Sequence, residues 1–267
     1  MGVVSEKLIK TTVNAAHAAG KVLNKYFNKE IQVNEKKGAG LVTNADLESE
    51  EAALRILKKQ YPEFNILAEE SDPTKKSSSG RWILDPLDGT TNFVHGFPMF
   101  CVSLAAQWEG ETLVGVIYHP VLNETYIGVK NQGATVNGKR LQVSSTKKAK
   151  DSLLTTGFTY RKNKWIHTEM IAFEKLSKVA RAIRRPGSAA LDLAYTARGV
   201  FDGFWERNLS PWDVAAGALL VEEAGGKVTD FKNGKFDVEA KEILATNSIL
   251  HPELLRIFPK SPFKAKR

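Results

Sequence analysis

Asp85 and Asp88 sit three residues apart in the stretch Asp85-Pro86-Leu87-Asp88-Gly89-Thr90-Thr91-Asn92-Phe93, just beyond the apolar run Trp82-Ile83-Leu84. The run predicts a buried strand, and the two carboxylates are expected to leave its end. A Gly-Thr-Thr turn comes next, with backbone N–H groups and two hydroxyls to offer. Carboxylates are hard ligands for hard cations, and a turn of successive N–H groups makes a concavity for a phosphate oxygen. That combination is suited to metal-assisted phosphoryl chemistry. Asp-Pro and Asp-Gly are also ordinary turn formers, so the chemistry follows only if other acids converge on the same place.

Three further segments supply acids. Asn65-Ile66-Leu67-Ala68 is another short apolar run, and it ends in Glu69-Glu70-Ser71. Pro211-Trp212-Asp213 opens a segment with helical spacing at Val214, Ala218 and Val221. Pro suits a first helical turn, and an early Asp complements the macrodipole. Thr43-Asn44-Ala45-Asp46 resembles a capping box before a helix over Leu47–Gln60. Each acid thus has a local structural explanation, and it is their number that argues for a site. If Glu69, Asp85, Asp88 and Asp213 share one cleft, each pair ~4 Å apart repels by about 4 kcal/mol at an effective dielectric of 20. Several such pairs exceed the ~5–15 kcal/mol that stabilises a whole domain. Protons or cations must relieve the repulsion. Oxygen ligands without His or Cys favour Mg²⁺ over zinc, with salt bridges to Lys or Arg as the structural alternative.

The elements that would position these groups alternate between helix and strand. Leu8–Phe27 carries an apolar stripe at Ile9, Val13, Ala16, Leu23 and Phe27, and a second helix runs to Gln60 ahead of Pro62. From Phe100 to Leu141 the pattern is β-rich, with turn pairs at Glu109-Gly110 and Asn137-Gly138. Helices are predicted over Lys164–Val179, Ala189–Arg198 (stopped by Gly199) and Asp213–Ala224 (closed by Gly225-Gly226), with strands at Phe201–Glu206 and Ile243–Thr246. Pattern alone gives α/β or α+β.

With 267 residues, 42% of them hydrophobic, and no Gly/Ser- or Pro-rich linker or internal repeat, the chain reads as one catalytic domain over 1–267. The longest loose segment, Asp72–Gly80, reads as an exposed loop. Cys101 is the only cysteine and lies in the apolar run Phe100–Trp108, so it reads as a buried thiol, and a reducing, cytoplasmic setting is expected. Met1–Lys7 lacks the apolar run of a signal peptide, no stretch approaches the ~20 apolar residues of a membrane span, and Gly2 with Ser5 misses the myristoylation spacing. The net charge of +8 is spread over short groups such as Lys36-Lys37, Lys58-Lys59, Lys75-Lys76, Arg161-Lys162-Lys164 and the tail Lys264-Lys266-Arg267. This reads as a solvated surface that steers anionic substrates; nucleic acid or a transcription complex is considered as a partner and not favoured.

Taken in order, Leu41-Val42-Thr43-x-x-Asp46, Glu69-Glu70-Ser71, the Trp82–Phe93 block, Gly187-Ser188-Ala189-Ala190, and Trp212-Asp213 with the helix ending Glu223-Ala224-Gly225-Gly226 resemble the inositol monophosphatase family. That family lies within the lithium-sensitive, magnesium-dependent phosphatases, and the likeness spans nearly the whole chain. It implies an α+β fold, a layered α-β-α-β-α sandwich, and a homodimer. It also implies hydrolysis of a phosphate monoester by metal-activated water, without a covalent intermediate.

The resemblance assigns roles as well. Glu69 and Asp85, with the Leu87 carbonyl, would hold one Mg²⁺. Asp85, Asp88 and Asp213 would hold a second, with a looser third ion near Glu69. Asp46 and Thr90 would orient and deprotonate the attacking water, and Gly89 and Thr90 N–H groups would take phosphate oxygens. The substrate-binding set is Leu87, Asp88, Gly89, Thr90, Arg184, Gly187, Ser188, Ala189, Glu206 and Asp213, with Glu206 on polyol hydroxyls. Thr91-Asn92 is similar to the inositol-phosphate branch and unlike the nucleotide-bisphosphate branch. Gly40, Pro186 and Arg207-Asn208 depart from the family pattern and leave fructose 1,6-bisphosphate, NADP and histidinol phosphate as alternative substrates. A non-catalytic role beside the transcription machinery is the alternative of another class.

Overall fold

The computed structural model describes residues 4–36, 40–74, 76–158 and 165–258. Parts of the basic groups at Lys37, Lys75, Arg161–Lys164 and the tail therefore lie outside the described residues, as does the first residue of the helix expected from Lys164.

The chain opens with α1 (Glu6–Tyr26), the hairpin β1 (Val33–Glu35) and β2 (Leu41–Thr43), and α2 (Asn44–Gln60). A seven-stranded sheet follows: β3 (Asn65–Ala68), β4 (Gly80–Asp88), β5 (Cys101–Trp108), β6 (Glu111–His119), β7 (Glu124–Val129), β8 (Gly133–Val136) and β9 (Lys139–Arg140), side by side in chain order. The short helix α3 (Thr90–Val94) lies between β4 and β5. Only the β3–β4 pair is parallel; the rest is a meander, turned at Glu109-Gly110 and Asn137-Gly138 with both residues of each pair at positive φ, as a primed hairpin turn requires.

The second half holds β10 (Leu153–Thr156), α4 (Trp165–Ser177), β11 (Ala182–Arg184), α5 (Ala189–Ala197), β12 (Gly203–Arg207), α6 (Pro211–Glu223), β13 (Lys227–Thr229), β14 (Glu242–Thr246) and α7 (His251–Ile257). Its five strands run in the order β11-β10-β12-β14-β13. The strand expected at Phe201 begins two residues later, and the short strands β1, β2, β10, β11 and β13 are additions to the sequence reading.

The period-two alternation of strand side chains builds the layers. On β4, Trp82 and Leu84 face α1 and α2, while Ile83 faces the opposite core. On β5, Val102, Leu104 and Ala106 join the first face, and Cys101 and Ala105 the second. On the five-stranded sheet, Phe204, Ile243 and Ala245 point to the same central core, and Trp205 and Leu244 to a third core under α4 and α7. Helices α5 and α6 fill the middle, so the order is α1/α2, seven-stranded sheet, α5/α6, five-stranded sheet, α4/α7, which is the five-layer sandwich expected. Small residues let the central layer pack closely: Gly115 of β6 lies against the backbone of Ala216, and Gly217 against Leu193. The exposed strands β1 and β9 carry no alternation to read.

Candidate active site

Local devices in strand and helix ends bring the acids together. Strand β4 continues through Asp88 instead of ending before Asp85, but its pairing with β5 slips between Asp85 and Asp88. The irregularity accommodates Pro86, which has no N–H to give a ladder, and presents both carboxylates. The Asp85 Oδ1 accepts the Leu87 N–H at 2.9 Å, and Ser49 Oγ of α2 donates to the Pro86 carbonyl at 3.0 Å. Gly89 then turns the chain into α3 at φ +95°, where a Cβ would stand 2.8 Å from the Met99 carbonyl oxygen; only glycine fits.

At the start of α2, Asp46 belongs to a capping box, its Oδ2 accepting from Thr43 N at 2.8 Å and Thr43 Oγ1 at 2.6 Å. Its other oxygen, Oδ1, accepts from Thr90 Oγ1 at 3.1 Å, and that hydroxyl also lies 3.2 Å from the Leu87 carbonyl. One carboxylate therefore caps a helix and orients Thr90. Asp213 is divided in the same way: its Oδ2 accepts the Ser210 N–H at 2.7 Å in the capping box of α6. The Asp88 Oδ2 is held from α5 by Ser188 Oγ and the Ala190 N–H, both at 2.7 Å. Ser103 Oγ donates to the Trp212 carbonyl at 2.9 Å and ties β5 to α6.

The result is a group of ligand oxygens from Asp85, Asp88 and Asp213, all within 4.8 Å of one another. Burial, reinforced by the charges of Glu69, Asp88 and Asp213, pushes Asp85 well above the carboxylate range. Asp213 rises for the same reasons, burial first and then Asp88 and Glu69. Burial also carries Asp88 up to about 6, against the lowering effect of its bonds from Ser188 and Ala190. Such a set is unfavourable as three free anions and suits a hard divalent cation, with all-oxygen donors and no softer ligand among them. Glu69, at the end of β3, is beside them, and its carboxylate meets the Lys36 ammonium at 2.7 Å; the same ammonium meets Glu70 at 2.5 Å. The basic residue of the β1–β2 loop is thus paired with the acids next to the expected third ion. Residues 37–39 of that loop lie outside the described residues.

These groups line a cavity of about 330 Å³. Of the sequence-derived set, Glu69, Asp85, Leu87, Asp88, Gly89, Thr90, Gly187, Ser188, Ala189, Glu206 and Asp213 all border it, with Asp46 buried behind Thr90. Arg184 does not. It is exposed at the end of β11, bonded back to the Ile183 carbonyl at 3.1 Å, and Arg185 borders the cavity instead, its guanidinium 5.8 Å from the Phe158 ring. The choice between adjacent arginines depends on the parallel register of β11 on β10, which no local pattern reveals. Asn92 anchors this wall through bonds to the Met99 and Pro186 carbonyls at 2.6 and 2.9 Å.

Sequence reasoning missed Asp192, Gly157, Phe158 and Lys241 in the cavity wall. Asp192 had a visible signal, a lone acid inside the apolar helix Ala189-Ala190-Leu191-Asp192-Leu193. It is 1% exposed, its Oδ1 has no hydrogen-bond partner, and burial plus the Asp88 charge push its pKa well up. Arg207 and Asn208, singled out as unusual, do line the wall. Arg207 pairs with Glu242 at 2.7 Å and lies 4.5 Å from the Phe231 ring, and Asn208 takes φ +63°.

Comparison with known proteins identifies the family. The profile described as "Inositol monophosphatase family" matches residues 5–262. A Caulobacter vibrioides protein named "Inositol-1-monophosphatase" is 41% identical over 91% of this chain and 97% of its own length. A Pseudomonas aeruginosa protein named "Nus factor SuhB" is 40% identical over 98% and 100%. The crystal structure of the extragenic suppressor protein suhB from Bartonella henselae superposes with a TM-score of 0.91 at 39% identity, covering 95% of this chain and 99% of that one. With an acidic cluster of this kind and likeness along nearly its whole length, the chain belongs to the inositol monophosphatase family and is an inositol-1-monophosphatase-like phosphoric monoester hydrolase.

Proposed function

We propose that the protein is a Mg²⁺-dependent phosphomonoesterase acting on inositol monophosphate or a related polyol or sugar phosphate. The observation that carries the reading is the meeting of Asp85, Asp88 and Asp213 oxygens in a cavity that also holds Thr90 and, on another wall, Glu206. Glu69 and Asp85 with the Leu87 carbonyl would hold one Mg²⁺, Asp85, Asp88 and Asp213 would hold a second, and the Glu69 side would admit a third. Bound Mg²⁺ lowers the pKa of water and offsets charge on the phosphate and the departing alkoxide. Thr90 donates its hydroxyl proton toward Asp46 and keeps oxygen lone pairs for the attacking water. The Asp46–Thr90 pair orients that water in line and draws off its proton. Gly89 and Thr90 N–H groups receive phosphate oxygens, while Gly187, Ser188, Ala189 and Glu206 face the alcohol part of the substrate.

The test is a phosphate-release screen across inositol phosphates, sugar bisphosphates and nucleotides, with Mg²⁺ or with chelator, using Asp88→Asn as the control for contaminating phosphatase. The expected result is Mg²⁺-dependent release, fastest from an inositol monophosphate. Purified protein inert toward every ester, or indifferent to chelator, would overturn the reading. Fructose 1,6-bisphosphate, NADP or histidinol phosphate as the fastest substrate would keep the chemistry and change the alcohol.

The relatives named Nus factor SuhB favour a second reading, a partner of the transcription machinery independent of turnover. Salt-dependent co-purification of polymerase components with both the parent and Asp88→Asn is its signature. Among the described residues no helix is long and apolar enough to cross a membrane. A cytoplasmic homodimer sensitive to lithium completes the proposal, checked by sedimentation and by lithium titration of the rate.

A further inference from the structure

We propose that Gly157 is a positioning residue for the polyol site: its missing side chain is the seat of the Glu206 carboxylate. The inference rests on the reading of Glu206 as the group that faces substrate hydroxyls. A Cβ on Gly157 would fall on both Glu206 carboxylate oxygens and on the carbon that carries them. The backbone there does not ask for glycine, because Gly157 lies outside the left-handed region that Gly89 and Gly187 occupy. The space above Gly157 is therefore what the glycine provides.

The two main chains around that space cannot easily part. Gly157 directly follows β10, whose last residue, Thr156, is in register with Trp205 of the parallel β12. Thr156 is buried, and its Oγ1 donates to the Trp205 carbonyl at 2.7 Å. Glu206 is the next residue. A methyl group added at 157 would thus push out the mobile end of the Glu206 side chain and leave the strands in place. Among the described residues, Asp192, Asp213 and Asp88 act on its carboxylate as like charges and Arg185 attracts it. Glycine at 157 leaves the acid its place on the cavity wall, where it can accept from a hydroxyl of the leaving alcohol.

The experiment compares the parent, Gly157→Ala, Glu206→Asp and the double variant on two esters, myo-inositol 1-phosphate and p-nitrophenyl phosphate, which has no hydroxyls for Glu206 to accept from. Gly157→Ala is expected to raise KM for the inositol ester by about tenfold, the worth of one misplaced charged hydrogen bond, and to leave the aryl ester within about twofold, because that ester makes no hydrogen bond to Glu206 that could be lost. Shortening the acid by one methylene makes room for the added methyl, so the double variant recovers part of the loss seen in Gly157→Ala. Equal losses on both esters, no loss on either, or strictly additive effects would overturn the seat. A crystal structure of Gly157→Ala tests the same claim without turnover: the Glu206 carboxylate is displaced while β10 and β12 superpose on the parent, and an unmoved carboxylate refutes it. A parent that shows no preference for the inositol ester defeats the substrate reading alone, and the crystal structure still decides whether the seat exists.

Discussion

Asp88 is held by Ser188 Oγ and by the Ala190 N–H on the same oxygen. Asn at this position retains an oxygen acceptor for both donors and loses the charge that a cation needs. Asp88→Asn is therefore expected to fold, with a thermal midpoint in chelator at or above the parent's, and to lose at least ~100-fold in kcat/KM, the scale of removing one electrostatic stabiliser from a reacting centre. Parental turnover by this variant would remove Asp88 from the ligand set. Thr90 makes a complementary case. Thr90→Ala deprives Asp46 of the hydrogen bond from Thr90 and is expected to lower kcat by roughly 10²–10⁴ with little change in KM, the usual range for acid–base assistance. Thr90→Ser keeps the hydroxyl and should restore most of it; a Ser variant as slow as Ala would place the role in the methyl group. At this scale the sequence was informative where chemistry is dense. Acids next to Gly, Thr and Pro at strand and helix ends stand out, whereas Gly157 and Arg185 do not, because their meaning comes from what a distant strand lays against them.

The elements that carry these residues were legible to different degrees for physical reasons. Strand β4 and helices α1, α2 and α6 announce themselves through runs and stripes, since each buries a full face. Strand β10 has only four residues, with two threonines, and is buried because two parallel partners flank it; nothing local shows that. The strand continuing through Asp85–Asp88 was likewise hidden, as Pro reads as an end until the slip in β5 pairing accommodates it. One spacing rule does emerge from the folded chain. A Cβ on Gly115 would meet the Ala216 carbonyl oxygen at 2.7 Å and its Cα at 2.9 Å, backbone that cannot step aside without moving α6. Gly115→Val is expected to cost about 3 kcal/mol by overpacking, read as a lower urea midpoint at unchanged slope. Activity should fall with it, because α6 brings Asp213. A midpoint equal to the parent would mean that the central layer has slack.

Across the whole molecule the acidic centre links stability to pH and to cations. The Asp88 carboxyl is carried from 3.8 to about 6 by folding. The folded chain therefore binds this proton more tightly than the unfolded chain, and between those two values stability falls as pH rises. Asp85 and Asp213 are shifted the same way. In chelator, the melting temperature of the parent relative to Asp88→Asn should drop as pH climbs from about 4 through about 6 and then level off. Mg²⁺ should raise the parent's melting temperature by more at neutral than at acid pH, since ligands must shed protons to bind. A parent that gains on the variant with rising pH in chelator would contradict the assigned direction. The centre also draws on both halves of the chain: Asp85 and Asp88 lie on β4 and Glu69 directly after β3, while Ser188 caps α5 and Asp213 opens α6, the helices against which the later strands pack. When the chain has emerged from the ribosome only as far as Arg198, the Asp-Pro-Leu-Asp segment is outside, yet Asp213 is still withheld from it. The nascent chain is expected to stay inert until its last quarter emerges, so the first appearance of turnover during synthesis would time the docking of the two halves.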